Sequence, residues 1–337
     1  MPFTYSKCQA REKVAREGGL VKFERRTFLA GLIAGTAGCS LNSGEGPYPS
    51  RDIDFIIPTG AGGGADMYAR LIGNAMELAL PESVNVIPRN VESGGGGKGI
   101  VQLHNAPPDG YSIGILNVPG LFVLQKRRKL PYNFSQFTWL ASFTTGEHYG
   151  LAVGRDSPIR NFDDLREISR RREITFATTG PEGMAYTTTQ IASQILGLPY
   201  RLVSGYRGSS DYVVAAMRGD TDAVVAAHST LERMEEGGAV RLIAAFSDKP
   251  SSGGVPNALD LGFPELANLR GDRVVAAPPG LADDKREYLA NALSQAWAYK
   301  PFLAWAESMG ESIAPRMPDE TAAMVEQQRK FIERWDV

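Results

Sequence analysis

A short apolar run that breaks into glycines and then becomes a helix restricts this chain more than any other feature. Ile53, Phe55, Ile56 and Ile57 suit a buried strand, and Pro58 ends it. Gly60-Ala61-Gly62-Gly63-Gly64 follows, then Ala65-Asp66. Tyr68, Leu71, Ile72, Ala75, Met76 and Ala79 then recur at helical spacing, which gives one buried helix face. Strand, glycine loop and helix make half of a βαβ unit. Glycine lets a ligand approach the backbone, and a helix start presents unpaired N–H groups at the positive end of its dipole. The natural guest is an anion, either phosphate or carboxylate.

Charge narrows the partners. Residues 1–38 hold seven of the 36 basic and three of the 38 acidic residues, so the remainder carries 29 basic against 35 acidic groups. No basic field exists to attract nucleic acid. The two cysteines, Cys8 and Cys39, both precede the body, which excludes an internal disulfide or a cysteine metal cluster there. At 337 residues the chain has room for about two domains.

The first 38 residues read as an export signal. Arg25-Arg26-Thr27-Phe28-Leu29 opens an apolar run to Gly38 that is too short to span a membrane. Paired arginines match a twin-arginine signal. Thr36-Ala37-Gly38-Cys39 resembles a lipobox, which makes Cys39 the candidate lipidation site and a lipid anchor the only expected membrane contact. Residues 39–50 are rich in Gly, Pro and Ser and read as a flexible tether. The expected address is the periplasm or cell surface.

The body continues in strand-loop-helix units. Val84 to Ile87 reads as a second strand, followed by a second glycine tract from Gly94 to Gly97 and a short helix from Ile100 to Asn105. Tyr111 to Ile115 alternates as a third strand. A second series begins near Leu151: a helix from Phe162 to Arg171 capped by Asn161, strands at 174–177, 200–203, 223–227 and 240–245, and helices at 185–196 and 211–218. Val274 to Ala277 reads as the last strand, and helices follow from Asp283. Two such series imply an α/β fold of two lobes, with ligand loops at the strand carboxyl ends and a cleft between them.

Catalytic signatures are sparse. His104, His148 and His228 are far apart, without metal-ligand spacing. The sequence holds neither a nucleophile elbow nor a Lys-bearing phosphate loop. Gly60-x-Gly62-x-x-Ala65 does match a dinucleotide loop, with Glu92 as a ribose partner. An exported nucleotide-dependent enzyme is therefore the alternative reading.

Residues 51–335 resemble the extracytoplasmic solute-binding proteins of tripartite tricarboxylate transporters, the Bug or TctC family. The likeness is carried by Ile56-Ile57-Pro58 with Gly62 to Asp66 and Ala69-Arg70. It continues through Gly94 to Gly97, Ala106 to Tyr111, Leu130-Pro131-Tyr132, Ser204 to Ser209, Gly219 to Asp222 and Ala277 to Gly280. The resemblance implies a periplasmic-binding-protein-like flytrap, each lobe a mostly parallel sheet flanked by helices. Lobe one would be 51–148 plus 273–337, and lobe two 149–272. It further implies capture of a small organic carboxylate without catalysis or cofactor, and delivery to the membrane subunits of the transporter. Carried over by position, the lobe-one contacts are Thr59, Gly60, Gly62, Gly63, Gly64, Asp66, Gly94, Gly95, Gly96 and Gly97. Those of lobe two are Thr179, Gly180, Glu182, Gly183, Met184 and Tyr206. Glu182 stands where the family has a small residue, and Arg207 replaces a lysine.

Overall fold

The computed structural model describes residues 47–337 apart from 63, 93–96, 131, 145, 181–183, 207 and 310, and only the backbone of Ser210 and Ser252. The export signal, Cys39, Gly63, Gly94, Gly95, Gly96, Glu182 and Gly183 lie outside the described residues.

The apolar run folds as β1 (Ile53–Ile57), flanked in parallel by β2 (Val86–Asn90) and β3 (Ser112–Val118). The connecting helices are α1 (Gly64–Glu77) and α2 (Gly97–His104). The helical stripe is the buried one: Tyr68, Ile72, Ala75 and Met76 are fully buried against Phe55 and Ile57. Strand β2 starts two residues later than the sequence suggests and takes in Pro88, which pairs with Phe55. Proline is tolerated because β2 is the sheet's edge.

After α3 (Gly120–Arg128) come β4 (Thr138–Thr144) and β5 (Glu147–Gly154). The second sheet combines β5, β6 (Ile174–Ala177), β7 (Tyr200–Val203), β8 (Ala223–Ala227) and β9 (Val240–Ala245). Its helices are α4 (Phe162–Ser169), α5 (Met184–Ile195), α6 (Ser209–Arg218) and α7 (His228–Glu236). Asn161 caps α4 as expected, its side chain accepting from the Asp164 N–H at 2.9 Å. The chain then returns through β10 (Arg270–Ala277) to the first sheet. There α8 (Asp283–Leu293), α9 (Lys300–Ser308), β11 (Ile313–Arg316) and α10 (Pro318–Glu333) complete the fold.

Both sheets are mixed. The strands β2-β1-β3 and β7-β6-β8 run parallel, as βαβ crossovers require. Strands β4, β5, β9, β10 and β11 join them antiparallel. The expectation of mostly parallel sheets therefore holds for three strands of each lobe. It fails at β4, β5, β9, β10 and β11, which add antiparallel strands to both sheets.

The two sheets are stitched by two antiparallel pairs, Arg270 with His148 and Gly271 with Glu147. The strands cross so closely that a Cβ on Gly146 would lie 2.5 Å from the Gly271 carbonyl carbon. Fully buried Asp272 ties the crossing, accepting from the Gly146 N–H at 2.8 Å and from Arg270 Nε at 2.9 Å. Gly150 sits inside the second sheet between β8 and β9, and the strands cross at Gly146 and Gly271.

Candidate functional site

The first glycine loop is braced by its own side chains. Asp66, 2% exposed, accepts from the Gly62 N–H at 2.8 Å, Arg70 Nε at 2.9 Å and Asn90 Nδ2 at 2.9 Å. Burial works against its charge, but the bonds from Arg70, Gly62 and Asn90 outweigh it and bring its pKa to about 2. Asn90 Nδ2 also donates to the Thr59 carbonyl at 3.0 Å. Asp66, expected on the ligand, has both oxygens engaged within the loop, and the Gly62 N–H is occupied by it. The Glu92 carboxylate packs over Gly60, 2.8 Å from where a Cβ would stand. Two acids, Asp66 and Glu92, thus stand at this loop.

The second loop, between β6 and α5, is built differently. Thr178 is fully buried, and neither its Oγ1 nor that of Thr179 has a hydrogen-bond partner among the described residues. Gly180 has open space where a side chain would be. Thr59 on the first loop also carries a buried Oγ1 without a partner. Buried hydroxyls are ordinarily satisfied, so these three are candidates to bond a polar guest.

A cavity of about 110 Å³, several times what one water needs, lies between the first loop and α5. Thr59 lines it from the first lobe, and Met184 and Thr187, on the first turn of α5, from the second. The lobes touch here: a Cβ on Gly120, the first residue of α3, would meet Met184 Sδ at 2.9 Å. Of the remaining expected contacts, Gly64 and Gly97 open α1 and α2, and Tyr206 is half-buried against the core beside α6.

An arginine stands behind each of these two helix starts, and neither was visible as a site residue in the sequence. Arg273 Nη2 lies 3.6 Å from the Cβ position of Gly64, and Arg128 Nη1 lies 3.6 Å from that of Gly97. Arg273 is paired with buried Glu311 and lies 5.4 Å from the Tyr68 ring centroid. Its register partner on β3 is Asn117, which lines the cavity. Nothing in the sequence pointed to Arg273, which sits inside a strand and finds its acid partner 38 residues later.

At the lobe crossing, Glu147 accepts from Ser229 Oγ; burial raises its pKa, partly offset by that bond and by Arg273. The histidines serve structure. His104 packs among Tyr132, Phe134 and Phe137, His148 bonds the Phe246 carbonyl, and His228 opens α7 facing Glu232. Among the described residues no cluster of acids, histidines or cysteines could hold a metal ion, and no helix is long and apolar enough to cross a membrane.

Known proteins share this architecture. A UPF0065 protein of Bordetella bronchiseptica is 27% identical over 294 residues, 84% of either chain. Protein BugT of Bordetella pertussis is 25% identical over 318 residues, covering 92% of this chain and 95% of its own. A TctC solute-binding protein from Polaromonas superposes with a TM-score of 0.70 at 17% identity, over 86% of this chain and all of the other. MatC of Rhodopseudomonas palustris, solved with malate, and a second protein of that organism, solved with adipate, each reach 0.66 at 19% identity. They cover 86% and 85% of this chain, and 98% and 96% of their own. At these identities the structural likeness establishes the two-lobed periplasmic-binding-protein fold. The sequence model described as "Tripartite tricarboxylate transporter family receptor" (TctC) matches residues 69–307, and the chain belongs to that family.

Proposed function

We propose that this protein is an exported solute receptor that captures a small organic carboxylate between its lobes. It releases the ligand unchanged to the membrane subunits of a tripartite tricarboxylate-type transporter. The lobes divide as 51–148 plus 273–337 and 149–272. The observation that carries the reading is a cavity lined by Thr59 of one loop and by Met184 and Thr187 at the start of α5, with hydroxyls at Thr59, Thr178 and Thr179 that have no partner among the described residues. Hydroxyls and helix-start N–H groups donate to a carboxylate without acid-base chemistry. Malate and adipate in relatives of the same fold support the ligand class.

The contacts on this reading are Thr59, Gly60, Gly64, Gly97, Thr179, Gly180, Met184 and Tyr206, with Gly63, Gly94 to Gly96, Glu182 and Gly183 completing the loops. Asp66 and Gly62 shape the first loop. The export signal delivers the protein to the periplasm or cell surface, where Cys39 anchors it.

Titration calorimetry against a panel of mono- and dicarboxylates tests the receptor role. A ligand present at 100 times its Kd stabilises the fold by about 2.7 kcal/mol, so a thermal shift reports it as well. Absence of binding by every acid in the panel refutes the reading. Retention of the precursor in the cytoplasm when Arg25 and Arg26 are both changed to lysine checks the address, and release of Cys39→Ser from membranes checks the anchor.

A further inference from the structure

Helix α5 does more than open the second loop. Met184 and Thr187 of its first turn line the cavity. Steps of three, three and four residues keep Met184, Thr187, Gln190 and Gln194 on one side of the helix. Gln190 uses both ends of its amide. Its Oε1 accepts from Arg127 Nη2 of α3 at 3.1 Å, and its Nε2 donates to the Asp336 carbonyl at 2.9 Å. Gln194 Nε2 donates to the same carbonyl at 3.3 Å. Arg127 in turn lines the cavity and lies 5.1 Å from the Tyr186 ring centroid.

Asp336 belongs to the short segment 334–337 that follows α10, and that segment is held from both sides. The Trp335 carbonyl accepts from Lys126 Nζ of α3, and the Trp335 ring stands edge-on to Phe331 of α10. Trp335 and Val337 also pack against the larger apolar core. Arg334 Nη1 donates to Glu265 Oε1 at 2.7 Å, an exposed pair that adds little by itself. On the lobe division proposed above, α3, α10 and this segment belong to lobe one, and α5 and Glu265 to lobe two. The bonds of Gln190 and Gln194 therefore cross the boundary next to the cavity. Unlike the strands at Gly146 and Gly271, they can be made and broken as the lobes move.

We infer that Gln190 and Gln194, with the Asp336 carbonyl and Arg127 as their partners, form a latch that holds the lobes together before any ligand arrives. Water takes over these bonds when the lobes part, so each neutral bond shifts the balance by about twofold to tenfold. A receptor whose binding arrangement is already populated gives up less of its ligand's binding energy to closure. The inference goes beyond the solute-receptor reading and needs no particular ligand.

The test is the distance between spin labels on the ligand-free full chain. The labels are carried by Leu78→Cys on lobe one and Leu259→Cys on lobe two, both exposed, with Cys8 and Cys39 changed to serine. The protein with its latch intact should give mainly the shorter distance. Gln190→Ala with Gln194→Ala should raise the ratio of the longer to the shorter distance by about tenfold. Gln194→Ala alone keeps the Gln190 bonds and should give a smaller rise; it carries the test if the double variant fails to fold. Both glutamines are half-buried, so the melting temperatures should stay close while the distances change. An unchanged distance distribution in the variants overturns the inference, and so does a latch-intact protein found mainly at the longer distance. Either result leaves the receptor reading in place, because that reading is tested by ligand binding and the distances are measured without ligand.

Discussion

The two glycine loops obey one grammar of strand, glycines and helix, yet their polar groups are arranged in opposite ways. The β1–α1 loop is closed on itself: Asp66, Arg70 and Asn90 form a bonded set, and Glu92 leans over Gly60. In the β6–α5 loop the hydroxyls of Thr178 and Thr179 have no partner among the described residues. The first loop is a braced wall with Arg273 behind its helix start. On the proposed reading this pre-shaped lobe holds the ligand first, and the other gains its bonds on closing.

The largest expected effect is on the wall. Arg273 and Glu311 are 18% and 3% exposed at their side chains, and Glu311 Oε2 has no hydrogen bond among the described residues. Removing one partner of a buried ion pair strands the other charge, which costs about 3–5 kcal/mol. Arg273→Met should therefore lower the urea midpoint strongly, and Glu311→Met in the same chain should recover most of the loss. A fall of less than about 1 kcal/mol in the single variant would show that this pair does not secure the wall. No substitution at Thr178 or Thr179 should approach it.

How far the sequence discloses this contrast depends on the distance over which each feature is encoded. The strands at 53–57, 174–177, 223–227 and 240–245 fall where their apolar runs predict, because prolines, glycines or polar turns bound each run locally. Strand β11, Ile313–Arg316, is invisible among helices, since four residues including a proline gain strand geometry only by pairing with β4. The glycine loops are legible, but what fills them is not. Asp66 stands by position as a ligand contact until Asn90, 24 residues on, supplies the second half of its bonding. Arg273 has no local pattern at all.

A middle-sized effect concerns the brace. Asp66→Asn keeps the size of the side chain but gives up the charge-assisted bond from Arg70, and should cost about 1–3 kcal/mol. Its pH dependence has a definite sign. The folded pKa of about 2 lies below the unfolded value of about 3.9, so the contribution is complete above that value and is lost as pH falls towards 2. Denaturation at a series of pH values should show the two proteins converging in that window. Asp222, held near 2 against its burial by Arg172 and Thr175, titrates there as well, so the difference between the two proteins isolates Asp66. Parallel curves across the window refute the assignment.

The smallest effect falls on the bare loop and sharpens the contrast most. Valine matches threonine in shape and removes only the hydroxyl. At Thr178, fully buried with no partner for Oγ1 among the described residues, Thr178→Val should leave the free protein as stable as before or slightly more so. Thr179→Val should behave alike in the free protein, yet cost about 0.5–1.5 kcal/mol of binding to a carboxylate, a loss of up to about tenfold in Kd. The sign is thus opposite to that at Asp66, where stability falls before binding is asked for. Paired measurements of melting temperature and Kd on the same samples decide the matter. Should Thr179→Val lower the melting temperature of the free protein by as much as Asp66→Asn does, its hydroxyl is structural, and the second loop is no more open than the first.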